Sequence, residues 1–244
     1  EAYLRLLYGS MLPDALRKVC YHFHSLDLPY YMYLTVMDTG VLDMVPVVQG
    51  MLGHMGADLI AHCPANIFYT IHNIVNDPVA YHMTEIAVDS YCLREYPYSA
   101  HSGIFEASRV NPTADLVLET LDRYPFLLEE ACLNYGIPEP TRHQLVEALL
   151  SYGAEVDMET VAADVDFIYR QTLMDYVRND TCSVDTWDVT DQRVGYQLDS
   201  SIDIMDIAIH QMQTLPTLKE LESSLDTFVD TWQDSVDGDI CNYP

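Results

Sequence analysis

Apolar positions along this chain recur every three or four residues more often than every two, which is the period of an α-helix rather than a strand. The pattern is plainest near the C-terminus. There Leu218, Leu221, Leu225, Phe228 and Trp232 line up behind Thr217 and Glu220, whose spacing is that of a capping box. Ile202, Met205, Ile209 and Met212 form a second stripe. Met158, Val161, Val165, Ile168, Thr172 and Tyr176 form a third, with Asp157 and Glu159 in its first turn and Arg178 in its last, as the helix dipole favours. Thr141 and Gln144 make another capping box after Pro138 and Pro140, and Leu145, Val146, Leu149 and Leu150 supply an apolar face that stops at Gly153. Two heptads are too few for a free-standing coiled coil, so the stripes predict helices packed in a bundle.

Residues 1–110 are less regular. Leu12 to Phe23 and Pro78 to Leu93 read as helices, and Tyr30 to Met37 is aromatic and β-branched enough to be a strand or a buried helix. Gly50, Gly53 and Gly56 fit either a close helix–helix approach or an irregular loop. Asn111-Pro112 predicts a new helix over Thr113 to Tyr124, with Asn as cap and Pro at the first helical position. Trp187 to Val189 and Val194 to Leu198, flanking Thr190 to Arg193, predict a small β-hairpin near residues 187–198. The expected fold is therefore mainly α, a multi-helix bundle-like globular protein. A mixed, mainly helical region spans 1–110 and a strongly acidic helical region spans 111–244, within one domain or two.

Charge sharpens that division. The 244 residues carry 38 acids against 11 bases, of which only Lys18 and Lys219 are lysines, for a net charge of −27. Residues 1–110 hold 11 acids and 5 bases, whereas 111–244 hold 27 acids and 6 bases. Such a surface repels nucleic acid and anionic membrane, and its expected partners are proteins with basic surfaces or screening cations.

The six cysteines, at 20, 63, 92, 132, 182 and 241, form no Cys-x-x-Cys pair and no cluster with histidine at zinc-finger spacing. Reduced thiols in a reducing compartment are expected, the cytoplasm or a virion, although Asn179-Asp180-Thr181 has the form of a glycosylation sequon. The apolar stretch from Val41 to Ala61 is broken by Asp43, Gln49, His54 and Asp58, so no membrane span is expected, and no signal peptide is legible.

Candidate chemistry is sparse. Asp38-Thr39-Gly40 follows the apolar run Tyr33 to Met37 and resembles the catalytic triplet of aspartic proteases. That resemblance would make Asp38 one of two aspartates sharing a proton to activate water. The family's second triplet is absent, Val41 stands where a small residue is expected, and the competing reading is a turn that closes an apolar segment. Asp203, Asp206 and His210 fall on one helical face and are candidate oxygen and nitrogen ligands for a divalent metal, against the alternative of a solvated polar face. His22, His24, His54, His62, Cys63, His72 and His82 match no metal or nucleophile spacing, and His82 with Glu85 and Asp89 gives at most another polar face. Glycine-rich phosphate loops and a nucleophile elbow are both missing. No cofactor is expected.

Without a catalytic constellation, the sequence favours a structural or interaction subunit of a larger assembly, such as a virion or other multiprotein particle, over an enzyme. The expected partner-binding residues are Glu220, Glu222, Asp226, Asp230 and Asp234, on the polar side of the last helix. The rivals are an enzyme with a salt-adapted acidic surface, an inhibitor that mimics the nucleic-acid backbone, and the protease implied by Asp38.

Overall fold

The computed structural model describes residues 1–17, 19, 23, 25–61, 107–150, 194–214 and 216–235. Among these residues there are eight α-helices and no strand, so the mainly-α fold is the observed one. They are α1 (Ala2–Arg17), α2 (Asp27–Thr39), α3 (Val45–Ala61), α4 (Ala107–Arg123), α5 (Phe126–Tyr135), α6 (142–150), α7 (Val194–Gln213) and α8 (Leu218–Ser235), with a 3-10 turn at Leu42–Met44. The chain divides into two compact units. One comprises Glu1–Gly56, Ser102–Val156 and Met205–Ser224, and the other Ala57–His101, Asp157–Ile204 and Leu225–Pro244.

The first unit buries a set of large apolar side chains. Leu12 and Leu16 of α1, Leu28 and Met32 of α2, Met51 and Leu52 of α3, Leu149 of α6 and Leu221 of α8 are all fully buried. Burying a leucine or methionine contributes roughly 1.5–3 kcal/mol relative to exposure, so this set supplies the main cohesive term. Tyr8 of α1 is buried as well, and its hydroxyl donates to the Leu149 carbonyl at 3.2 Å, which satisfies its polar tip. That burial pushes the Tyr8 phenol well above its ordinary pKa.

α1 and α3 approach so closely that glycine is required on each. A Cβ on Gly9 would overlap the Val47 carbonyl, and a Cβ on Gly50 would overlap the Leu6 carbonyl. Close helix–helix approach is thus the role of Gly50. Pro13 lies one turn beyond Gly9 within α1 and has no N–H to offer the Gly9 carbonyl.

α2 packs against α4. Tyr30 to Met37 is helical, the second of its two expected forms, and its buried members Met32, Tyr33 and Val36 recur at helical spacing. The helix ends at Gly40, whose left-handed φ of 73° lets its N–H donate to the Val36 carbonyl at 2.9 Å. α5 ends in a Schellman motif: Gly136 N–H donates to Leu133 O at 3.2 Å and Ile137 N–H to Cys132 O at 3.1 Å.

Both capping boxes form. Thr141 N–H and hydroxyl donate to Gln144 Oε1 at 2.8 and 3.0 Å, and Gln144 N–H returns a bond to Thr141 Oγ1 at 3.3 Å. The Thr217–Glu220 pair repeats the arrangement at the start of α8.

Two expectations are corrected. Val194 to Leu198 is not a hairpin arm but the opening of α7. Val194, Leu198, Ile202, Met205 and Ile209 follow one another at four- and three-residue steps, so the segment continues the stripe downstream of it, and helical continuity outweighs the local alternation. The other arm, 187–189, lies outside the described residues. Pro112 is not the first residue of its helix, because α4 begins at Ala107 and places Pro112 inside it. A proline this near the N-terminus forfeits one hydrogen bond, to the Ser108 carbonyl, which tertiary packing of Leu116, Val117 and Leu121 offsets. The helices expected over Pro78 to Leu93 and Met158 to Arg178 lie outside the described residues.

Candidate functional site

The amphipathic division of α8 places its carboxylates. Leu221 and Leu225 are 0% and 1% exposed, while Glu222, Asp226 and Asp230 on the opposite side are exposed. Glu222, Asp226, Asp230 and Asp234 follow at four-residue spacing, one above the next along the helix, so each carboxylate has a like charge one turn away. The Asp234 side chain lies outside the described residues.

Glu220 is committed elsewhere. Its Oε2 accepts the Thr217 N–H and the Thr217 hydroxyl, both at 2.8 Å. The Thr217 backbone bond first, and the hydroxyl bond second, hold the Glu220 carboxyl below its ordinary range. Of the five acids expected to bind a partner, Glu220 therefore serves the helix's own N-terminus, and Glu222, Asp226 and Asp230 form the outward row.

Asp38 occupies the last turn of α2, and Asp38-Thr39-Gly40 is a helix end with its left-handed cap. The Asp38 side chain is 65% exposed and lies 3.6 Å from the Arg123 guanidinium, which also binds Glu119 at 2.9 Å. This environment offers solvent and a cation, and the triplet closes an apolar segment.

Asp203, Asp206 and His210 are all exposed on α7. Among the described residues, no group of three or more His, Cys, Asp or Glu side chains is placed to hold a metal ion. Cys132 is buried. Cysteines 20, 63, 92, 182 and 241, and His22, His24, His62, His72 and His82, lie outside the described residues, as does the sequon 179–181.

Sequence reading missed an aromatic corner. Tyr31 packs against Tyr124 and Phe126 with ring centroids 4.6 and 5.1 Å apart, and Tyr30 meets Tyr31 edge-on at 5.2 Å. The Tyr30 hydroxyl donates to the Pro216 carbonyl at 2.6 Å, tying α2 to the turn before α8. Desolvation, then neighbouring Tyr30, Asp27, Tyr124 and Glu130, raise the Tyr31 phenol. With rings this close the corner is filled by its own side chains. The available signal was the density of aromatics at 30, 31, 124 and 126, which one-dimensional periodicity does not bring together.

Among the described residues, no helix is long and apolar enough to cross a membrane. No protein-family model matches the chain, and no solved structure matches it. A stretch of 119 residues, 48% of the chain, is 27% identical to the glucosylceramide transporter ABCA12 of Mus musculus. The chain spans about 4% of that relative's length, an extent that shows neither a shared family nor a shared activity.

Proposed function

We propose that this protein is an interaction subunit of a larger assembly, which docks a basic protein surface on the outward carboxylate row of α8. The observation that carries the reading is the split of that helix: Leu221 and Leu225 are buried, while Glu222, Asp226 and Asp230 are exposed in one row. A helix anchored by its apolar side presents these charges on a rigid support, and electrostatic complementarity then governs partner choice and association rate. The net charge of −27 extends the same field over the molecule.

The test is the native mass of the protein purified with its co-purifying chains, compared between wild type and the Asp226→Asn, Asp230→Asn double variant. A basic partner retained by wild type, and lost by the variant or by wild type in high salt, supports the reading. A lone monomer in both cases rejects it. Displacement of the partner by DNA would instead favour the nucleic-acid mimic, and unfolding of the wild type below molar salt would favour the salt-adapted enzyme.

A further inference from the structure

Between α2 and α3 the chain leaves the interior and carries apolar side chains out with it. Val36 and Met44 are buried, whereas Met37, Val41 and Leu42 between them are 40%, 42% and 59% exposed. Single exposed apolar residues are ordinary on a protein surface. Here three fall within six residues, while the other large ones exposed among the described residues, Tyr3, Leu133, Ile137 and Leu150, are spread along the chain. Such a concentration marks an interaction surface.

The turn that presents them is fixed from several elements. Gly40 caps α2, the Met44 N–H donates to the Val41 carbonyl at 2.9 Å, and Arg5 of α1 donates to the Asp43 carbonyl at 2.6 Å. A surface held this way loses little conformational freedom on binding, which favours association.

Charge defines what fits against it. Arg5 pairs with Asp43 and Glu1, and Arg123 of α4 pairs with Asp38 and Glu119. The two groups hold four carboxylates and two guanidiniums, and each carboxylate is more exposed than the arginine it shares. The rim of the apolar turn is therefore net negative, and carboxylate is what it shows to solvent. We propose that Met37, Val41 and Leu42 form a docking site for a partner protein whose contact surface is an apolar cluster ringed by lysine or arginine. A second copy of this chain brings its own charge of −27 and is repelled by the same rim. The site uses no residue of α8, so it stands or falls independently of the carboxylate row there.

The probe is a fluorescent amphipathic peptide of leucine and lysine, titrated with the full chain and followed by anisotropy. All proteins carry Asp226→Asn and Asp230→Asn, which weakens the α8 row as a competing site. The expected result is binding that Met37→Ser with Leu42→Ser weakens by about tenfold or more, with circular dichroism confirming that the variant folds and Leu42→Ala as a milder second variant. A peptide with glutamate in place of lysine should not bind, and one with serine in place of leucine should not distinguish the variant from its parent. Undiminished affinity in both variants, or equal binding of the glutamate peptide, would overturn the proposal. So would a dimer of the parent protein, or its binding to phosphatidylcholine vesicles, that Met37→Ser with Leu42→Ser abolishes, since the turn would then belong to a second copy or to a lipid surface.

Discussion

The hydroxyls of Thr35 and Thr120 lie 3.1 Å apart inside the contact between α2 and α4, both closed to solvent. Thr35 donates to the Tyr31 carbonyl at 2.9 Å, and Thr120 lies 2.8 Å from the Leu116 carbonyl, so each hydroxyl also has an acceptor in its own helix. Thr120→Val therefore strands no donor, because Thr35 keeps Tyr31. The expected loss of stability is about 0.5–1.5 kcal/mol. Adding Thr35→Val should cost less than its effect alone, since the shared bond is already gone. Denaturant unfolding of the double-mutant cycle measures that non-additivity, and strict additivity would mean that the two hydroxyls are uncoupled.

The α1–α3 crossing predicts a contrast between two glycines. Gly50→Ala puts a methyl against the Leu6 carbonyl, which is backbone and cannot swing aside, so overpacking of about 1–3 kcal/mol is expected. Gly40→Ala meets nothing within 4 Å but holds a φ of 73°, so its cost is conformational, about 1–2 kcal/mol. Thermal melts distinguish the pair: Leu6→Ala should not rescue Gly50→Ala, because the obstruction is main chain. Gly40→Asn should recover much of the Gly40→Ala loss, because asparagine tolerates the left-handed region.

Tyr8 gives an alkaline prediction. Burial raises its pKa in the folded state above the 10.0 of an exposed phenol, so the unfolded chain releases the proton first. The stability that neutral Tyr8 contributes is complete below about pH 10 and is lost as pH rises through the folded value. Tyr8→Phe forgoes the bond to Leu149 and should be less stable at neutral pH by about 1 kcal/mol. The gap between the two proteins should narrow above pH 10, and a constant gap across the alkaline range would count against ionisation of Tyr8 as the cause.

What the sequence disclosed and what it hid follow from the range of the interactions involved. The boxes Thr141–Gln144 and Thr217–Glu220 close within three residues, so their letters are nearly their geometry. The α8 stripe was legible because Leu221 and Leu225 lie on one side of a single helix. The start of α1 was hidden because Gly9 and Pro13 look like breaks, and Gly9 makes sense only once Val47 of α3 is placed against it. Val194 to Leu198 misled because five residues fit both periods, and only the stripe beyond Leu198 decides between them. Tyr30 and Pro216 are 186 residues apart, and no local pattern announces their bond.

Glu220 supplies an acid prediction that separates capping from docking. Its folded-state pKa lies below the unfolded value of 4.5, so its contribution is present above that value and is lost as pH falls through the folded one. Glu220→Gln retains an acceptor for Thr217 and should keep the α8 start intact while removing this acid dependence, whereas Glu220→Ala should fray it at all pH values. Amide hydrogen exchange at residues 218–221 is the direct measure. Equal protection in the alanine variant would mean that the box contributes nothing to the helix.

The row Glu222, Asp226, Asp230 and Asp234 predicts how the free protein responds to salt. Exposed like charges at four-residue spacing destabilise a helix by roughly 0.2–0.5 kcal/mol per pair, and Asp226 and Asp230 together take part in all three such pairs in the row. Asp226→Asn with Asp230→Asn removes every pair, so at low ionic strength the double variant should be more stable than wild type, with α8 otherwise unchanged because Leu221 and Leu225 still anchor it. As ionic strength passes 0.1 M the Debye length falls to about 10 Å, and beyond it the advantage should shrink steadily. Urea midpoints across a salt series measure the difference. An advantage independent of salt would place its origin in asparagine itself rather than in relieved repulsion, and an absent advantage would show that the carboxylates are already neutralised by bound cations or by Lys219 and the surrounding surface.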